Sequence, residues 1–323
     1  MEFGLIFHWG LYSVTAYDNP VSARRRRTQN GSEWYLKRLL EKGTFRPISG
    51  WKETQEYHQK EFENIPYSDL TQFFDHNKKW NPNSWMELAK EVGATYVILT
   101  AKHHEGFCLW PTKTTDYHAE KDYVSLFGEA ARAHGLKFGI YYSWSEFERR
   151  CTKEYLDTIA LPQVKELATY HPDIWWFDGH WEITTKYGRE KVIQLVESLE
   201  GEVNEGVALQ HPVNFVEIND RLYKDPVWER PNFLGKATFR VYGDRHIPEE
   251  KPEVPWEHIN TIGLSWGRNL AQEDYKTGEE LFELYEMVRE KGGKFLLNLG
   301  PDHDGNLDPK EVAALREFAE LKK

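Results

Sequence analysis

Asp178 ends the run Asp173-Ile174-Trp175-Trp176-Phe177-Asp178-Gly179. A carboxylate at the end of an apolar strand can act as nucleophile or base. Side chains alternate along a strand, so Ile174, Trp176 and Asp178 share one face. The same period puts Gly4, Ile6 and His8 on one side of Phe3 to Trp9, with the bulky Phe3, Leu5, Phe7 and Trp9 on the other. In the run from Phe138, the row Phe138, Ile140, Tyr142 faces one way and Gly139, Tyr141, Ser143 the other. If the bulky rows face helices, His8, Tyr141, Trp176 and Asp178 face a common interior. Each group also has a plainer reading: a strand-end Asp caps a following helix, and Glu33, Trp34 and Trp266 pass singly as surface or core residues. His103-His104 has the side chains of a metal pair, but adjacent strand residues point to opposite faces, and His8-Trp9-Gly10 lacks a second His two positions on.

The elements that must position these groups alternate. Short β-rich runs lie at Phe3 to Trp9, Tyr96 to Ala101, Phe138 to Trp144, Asp173 to Asp178, Val213 to Ile218, Ile259 to Ser265 and Phe295 to Leu299. Helix-like spacing fills 84–92, 122–134, 154–170, 187–199, 277–291 and 309–321. This βαβα rhythm predicts an α/β fold built on a parallel sheet. Asn83-Ser84 and Asp308-Pro309 read as helix starts, and Gly93, Gly135 and Gly292-Gly293 as helix ends just before strands. Residues 15–83 and the proline-rich 220–256 do not fit the rhythm, which marks them as loops covering a site. Arg24-Arg25-Arg26-Arg27 reads as a solvated loop face. No domain boundary is visible, so 1–323 is expected to form a single catalytic barrel domain.

Composition excludes several classes. With 41 Lys+Arg against 52 Asp+Glu the formal charge is -11, which repels a phosphate backbone, so nucleic acid is not an expected partner. Two cysteines, Cys108 and Cys151, without ligand spacing indicate neither a disulfide framework nor a zinc knuckle. No apolar run has the length of a membrane span, and no basic-then-apolar leader opens the chain. The expectation is a protein off the membrane: cytoplasmic on the chain as given, secreted or periplasmic if a leader was removed. Thirteen Trp within 15% aromatic residues suit core packing and also stacking on the C–H faces of sugars.

Taken together, the blocks are recognisable. Phe3 to Val14 (FGLIFHWGLYSV), Ser32-Glu33-Trp34-Tyr35, Thr100 to Trp110 (TAKHHEGFCLW), Gly135 to Ser143, Trp176-Phe177-Asp178-Gly179, Asn219-Asp220-Arg221, Gly263 to Asn269 and Gly292 to Pro301 resemble the retaining α-L-fucosidase family of glycoside hydrolases. They run in family order over nearly the whole chain. The resemblance implies a (β/α)8-like TIM barrel, often irregular, that removes terminal α-linked L-fucose from fucosylated oligosaccharides or glycoconjugates with retention, needing no cofactor and no metal. By motif, Asp178 takes the nucleophile position, and His8, Glu33, Trp34, His103, His104, Tyr141, Trp176, Arg221 and Trp266 line the fucose pocket. The acid/base is expected at Glu249, because Gly243-Asp244-Arg245-His246-Ile247-Pro248-Glu249 is similar to the family's Gly-Asp-x-x-Thr-Pro-Glu stretch; Glu250, Glu257 and Glu229 are alternatives. Family members usually carry a short segment before the first strand and frequently a β-sandwich after the barrel, whereas the sequence as given starts at the strand and ends at Lys323. A homo-oligomer is compatible with all of this. Two other readings compete: a metal-dependent barrel hydrolase using His8, His103 and His104, and a non-catalytic fucose-binding module.

Overall fold

Alternation of bulky and small side chains decides which way the first strand faces. In the computed structural model, residues 1–18, 31–41, 48–74, 80–204, 215–218, 221–224 and 237–323 are described, the two four-residue segments for their backbone alone. Strand β1 (Phe3–Phe7) is buried along its whole length. Its row Phe3, Leu5, Phe7 joins Phe138, Ile140, Tyr142, Trp175 and Phe177 in the large core beneath the helices. Ile6 instead joins Tyr96, Ile98, Tyr141, Ile174, Trp176, Ile259 and Leu296 in a second, separate cluster. Those two clusters are the outer and inner faces of one sheet.

The further strands are β2 (Tyr96–Lys102), β3 (Lys137–Ser143), β4 (Ile174–Asp178), β5 (Glu202–Val203), β6 (Phe215–Ile218), β7 (Arg221–Lys224), β8 (Arg240–Val241), β9 (Trp256–Thr261) and β10 (Lys294–Leu299). Eight of them pair in the order β5-β4-β3-β2-β1-β10-β9-β8, every neighbour parallel. The two edges meet at a parallel bridge, Asn204 with Phe239, where the Thr238 amide donates to the Val203 carbonyl at 2.7 Å. The expected (β/α)8-like barrel is therefore present, and irregular: β5 and β8 have two residues each. The predicted strand Val213 to Ile218 needs correction, since β6 pairs antiparallel with β7 outside the barrel sheet. The run expected at Ile259 to Ser265 lies earlier, as β9, leaving Gly263 to Ser265 in the loop.

Helices Pro82–Glu91, Tyr123–Ala133, Leu161–Ala168, Lys186–Glu197, Gly278–Glu290 and Pro309–Leu321 cover the outside. Asp308 caps the last with Pro309 at its first turn, as expected. The first begins slightly earlier than its sequence signal, because the Asn81 side chain accepts from the Asn83 amide. Residues 15–83, expected to be loops, hold helices at Tyr35–Leu40 and Trp51–Phe62. Among the described residues no helix is long and apolar enough to cross a membrane.

Polar groups close the N-terminal end of the barrel. Glu257, inside β9, accepts from the Tyr96 hydroxyl at 2.6 Å and from Trp176 Nε1 at 2.9 Å. Below it Lys137 meets Glu2 at 3.0 Å and Glu202 at 3.1 Å, and Lys294 pairs with the same two carboxylates. The barrel is filled rather than hollow, which confines any ligand to its other end.

Tight filling is testable at Gly4. A Cβ there would lie 2.3 Å from two ring atoms of Tyr96, both inside the barrel. Gly4→Ala should therefore destabilise the fold by about 1–3 kcal/mol, the usual cost of overpacking. Urea unfolding should show a lower midpoint at constant slope, and a midpoint equal to wild type would contradict this packing.

Candidate active site

Parallel register assembles the opposite end. Across β3 and β4, Tyr141 pairs with Trp176 and Ser143 with Asp178, so two successive inward positions of each strand meet at the mouth. The Tyr141 hydroxyl donates to Asp178 Oδ2 at 2.7 Å, and the Gly179 amide donates to Oδ1 at 2.7 Å. Gly179 is needed here: its φ is 71°, and a Cβ would come within 2.7 Å of Ser143 Oγ and the Ser145 amide. Asp178 does not cap the next helix, because Thr185 does so by accepting from the Gly188 amide.

Beyond β2 the two histidines escape the alternation rule. The register shifts between Thr100 and Lys102, and the strand ends there, so His103 and His104 lie in the loop with ring centroids 4.3 Å apart. His103 stacks on Tyr141 at 5.6 Å and meets His8 at 5.7 Å. Ser143 donates to the Ser145 carbonyl at 2.8 Å, so its oxygen receives the His104 Nδ1 hydrogen at 2.6 Å. That leaves His104 Nε2 facing Asp178 Oδ2 at 3.6 Å. Burial lowers the pKa of His104, and the Asp178 carboxylate opposes the shift. His103 is pushed well down by burial and then by its two histidine neighbours; its Nδ1 is buried with no hydrogen-bond partner among the described residues.

His8 stands at the end of β1. Asn298 on β10 donates from Nδ2 to the Trp266 carbonyl at 2.6 Å, so its Oδ1 is turned to receive the His8 Nδ1 hydrogen, also at 2.6 Å. The free nitrogen of His8 is therefore an acceptor. Burial pushes this imidazole down to about 3, against the opposing pull of the Asn298 bond. Trp266 lies 5.2 Å from His8, and Arg245 covers the same indole at 4.7 Å. Trp34 reaches His104 at 5.9 Å. Glu33 is buried and spans two loops, accepting from Gly31 N at 2.9 Å, Gly267 N at 3.1 Å and Ser265 Oγ at 3.3 Å. The structure thus brings together His8, Trp34, His103, His104, Tyr141, Trp176, Asp178 and Trp266, with Glu33 bracing the loops beside them. Arg221 opens β7, but its side chain lies outside the described residues.

Glu249 is not at this mouth. It is exposed, and its carbonyl accepts from Lys291 Nζ at 2.7 Å, just ahead of β10. That is the N-terminal edge of the sheet, a strand length or about 17 Å from the C-terminal ends. Proline-rich chain between β8 and β9 has to run from one end of the barrel to the other, which carries Pro248 and Glu249 away. Glu250 is exposed beside it, Glu257 belongs to the barrel interior, and Glu229 lies outside the described residues. A carboxyl that the sequence reading does not single out is Asp244, in the same Gly-Asp stretch. Half-buried after β8, it is pushed up to about 6 by burial and then by the Asp178 carboxylate, with Arg245 opposing. Ser143 lies inward as its spacing predicts but without an assigned role, and Asn298 is not singled out by any spacing signal. Among the described residues no three His, Cys, Asp or Glu side chains are grouped so as to hold a metal ion.

Comparison with known proteins agrees with this layout. A family model described as Alpha-L-fucosidase matches residues 1–322. The chain is 29% identical to the α-L-fucosidase of Dictyostelium discoideum over 98% of its own length and 67% of that protein. It is 26% identical to the human tissue α-L-fucosidase over 95% of its length and 63% of that protein. The chain thus spans about two thirds of the length of these curated relatives. A solved α-fucosidase of Thermotoga maritima superposes with a TM-score of 0.74 at 30% identity, covering 99% of this chain and 71% of that one. The same enzyme is known in complex with fucose.

Fixing of His8 by an amide gives a direct test. In NMR titration its imidazole should stay neutral from about pH 5 to about pH 8, since its folded value is about 3. Asn298→Asp puts a carboxylate against Nδ1, which favours the charged ring and should raise that value. An ordinary titration of His8 near pH ~6.5 in the wild-type protein would contradict the burial described.

Proposed function

The chain belongs to the α-L-fucosidase family, and on that premise we propose that it releases terminal α-linked L-fucose from fucosylated glycans by a retaining double displacement, with Asp178 as nucleophile and Asp244 as acid/base. One observation carries the reading: a carboxylate fixed by Tyr141 and Gly179 among the aromatic rings and imidazoles of the barrel mouth, with burial and the charge of that carboxylate raising the pKa of a second carboxyl, Asp244. Two such groups are the minimum for this chemistry.

In the first step an Asp178 oxygen attacks the anomeric carbon while the bond to the leaving oxygen breaks. Asp244 gives its proton to that oxygen. A fucosyl ester of Asp178 results. Asp244, now a carboxylate, takes a proton from water, whose oxygen attacks the same carbon and frees Asp178. Because the Tyr141 hydroxyl and the Gly179 amide keep both Asp178 oxygens oriented, the attacking group is placed before substrate arrives. The free nitrogen of His8 accepts a hydrogen bond from a sugar hydroxyl, and His103, whose buried Nδ1 has no hydrogen-bond partner among the described residues, meets another. Tyr141, Trp176 and Trp266 offer their faces to the C–H side and methyl group of a deoxy sugar. The residues 1–323 form the catalytic unit in this reading. No step uses a metal or an organic cofactor.

Asp178→Gly should fold and lose several orders of magnitude of turnover on an aryl α-L-fucoside, because the covalent route is gone. Added azide should yield a fucosyl azide of β configuration. A Gly variant that kept more than about a tenth of activity would remove Asp178 from the chemistry, since tenfold is only ~1.4 kcal/mol of barrier.

Asp244 and Glu249 separate by leaving group. A general acid matters most when the departing oxygen is poor, so Asp244→Ala should cripple a fucosylated disaccharide far more than a nitrophenyl fucoside. Above about pH 6 the wild-type carboxyl loses its proton, so kcat/KM on the disaccharide should fall as pH rises through that value. The variant should lack this limb on the nitrophenyl substrate. Glu249→Ala should affect both substrates little, and the opposite pattern would restore Glu249 as the acid.

A further inference from the structure

We propose that Trp181 is the platform of a leaving-group subsite that accepts a pyranose ring, the sugar from which fucose is cleaved, a reading that rests on the fucosidase assignment above. Among the described residues only Trp181 and Phe73 are exposed aromatics, at 52% and 45%. Phe73 belongs to the helix Thr71–Phe74 and packs towards Phe62. Trp181 instead follows Asp178 by three residues, on the turn His180–Glu182. Its ring meets His104 edge-on at 5.6 Å, and His104 Nε2 is 3.6 Å from Asp178 Oδ2. One imidazole therefore separates this indole from the nucleophile.

Position distinguishes it from the other rings of the site. Tyr141, Trp176 and Trp266 are 1%, 6% and 6% exposed and line the closed part of the pocket, where the sugar that forms the covalent intermediate must sit. The leaving oxygen and the ring beyond it must lie outside that closed part, and Trp181 is the exposed ring one imidazole away from Asp178. A flat apolar face held there suits the C–H face of a neutral pyranose.

The turn is also fixed in advance. Gly179, at φ 71°, is hemmed in by Ser143 and Ser145, the Ile183 amide closes the turn onto the His180 carbonyl at 3.0 Å, and Ile183 is buried at 4% exposure. A platform that needs no ordering on binding keeps more of its contact energy.

The experiment compares two substrates that share fucose and differ in the group that departs from it. α-L-Fucosyl fluoride leaves the subsite empty, whereas a fucosylated hexose disaccharide cleaved by the wild-type protein fills it. In Trp181→Ala, kcat/KM on the disaccharide should fall about tenfold relative to kcat/KM on the fluoride, equivalent to ~1.4 kcal/mol. Trp181→Tyr, which keeps a flat ring, should recover most of that ratio. Equal losses on both substrates would show that Trp181 merely supports His104, and an unaltered disaccharide rate would show that nothing stacks there; either overturns the subsite. Failure of the wild-type protein to turn over the fluoride would overturn the fucosidase reading itself.

Discussion

The register of β3 against β4 is the constraint on which the site depends. It sets Tyr141 beside Trp176 and Ser143 beside Asp178, so one strand supplies the hydroxyl that donates to the other strand's carboxylate and the oxygen that accepts from the neighbouring imidazole. A slip of one residue would exchange the two faces. Asp178 would then enter the outer core beside Tyr142 and Trp144, where an unpaired carboxylate is costly to bury, and Phe177 would leave that core for the mouth. The outer row of large aromatics resists that slip. Packing beneath the helices thereby fixes the geometry of groups it never touches.

Burial then sets the protonation of what the register assembles. It lowers His8, His103 and His104, so the imidazoles around the mouth favour their neutral forms and can accept as well as donate. It raises Asp244. Each neutral ring has one nitrogen already used by the protein where a partner exists: Asn298 for His8 and Ser143 for His104. What remains free is directed by that first bond, as in any histidine oriented from behind. Asn298 also holds the Trp266 carbonyl, which couples the ring of one loop to the histidine of another.

Legibility in the sequence followed the length and regularity of the strands. Period two placed His8, Tyr141, Trp176 and Asp178 correctly relative to the inner cluster, because β1, β3 and β4 are regular and have a bulky outer row. Two-residue strands such as β5 and β8 carry no periodic signal, and the barrel closes there through a single bridge. The alternation argument against a shared face for His103 and His104 failed because a register shift ends β2 before them. Similarity of the Gly-Asp stretch points to Glu249, and Asp244 of the same stretch carries no signal of its own; the direction of the chain after Asp244, which takes Glu249 towards the floor, is not legible in spacing. Period two puts Ser143 on the inward face, but nothing in composition or period marks the hydrogen bonds by which Ser143 holds His104 and Asn298 holds His8.

A raised carboxyl pKa does not by itself identify the acid. Burial pushes Glu105 and Glu311 up to about 8 and Glu257 to about 7, further than Asp244. The partners decide. Glu105 is tied to the Leu11 and Tyr12 amides and the Tyr67 hydroxyl, which joins the loop after β1 to the loop after β2. Glu257 is held inside the barrel by Tyr96 and Trp176, and Glu311 receives the Gly300 amide. All three are structural ties that already accept from protein donors. Asp244 differs in kind, because the Asp178 carboxylate is among the causes of its shift, and that influence would vanish as Asp178 is consumed in an ester. Its acidity would then increase at the step after its proton has been spent, when a carboxylate is required to take one from water. Coupling of this sort is what the proposed change from acid to base within one cycle requires, and among the raised carboxyls of the described residues Asp244 is the one on which the Asp178 charge acts.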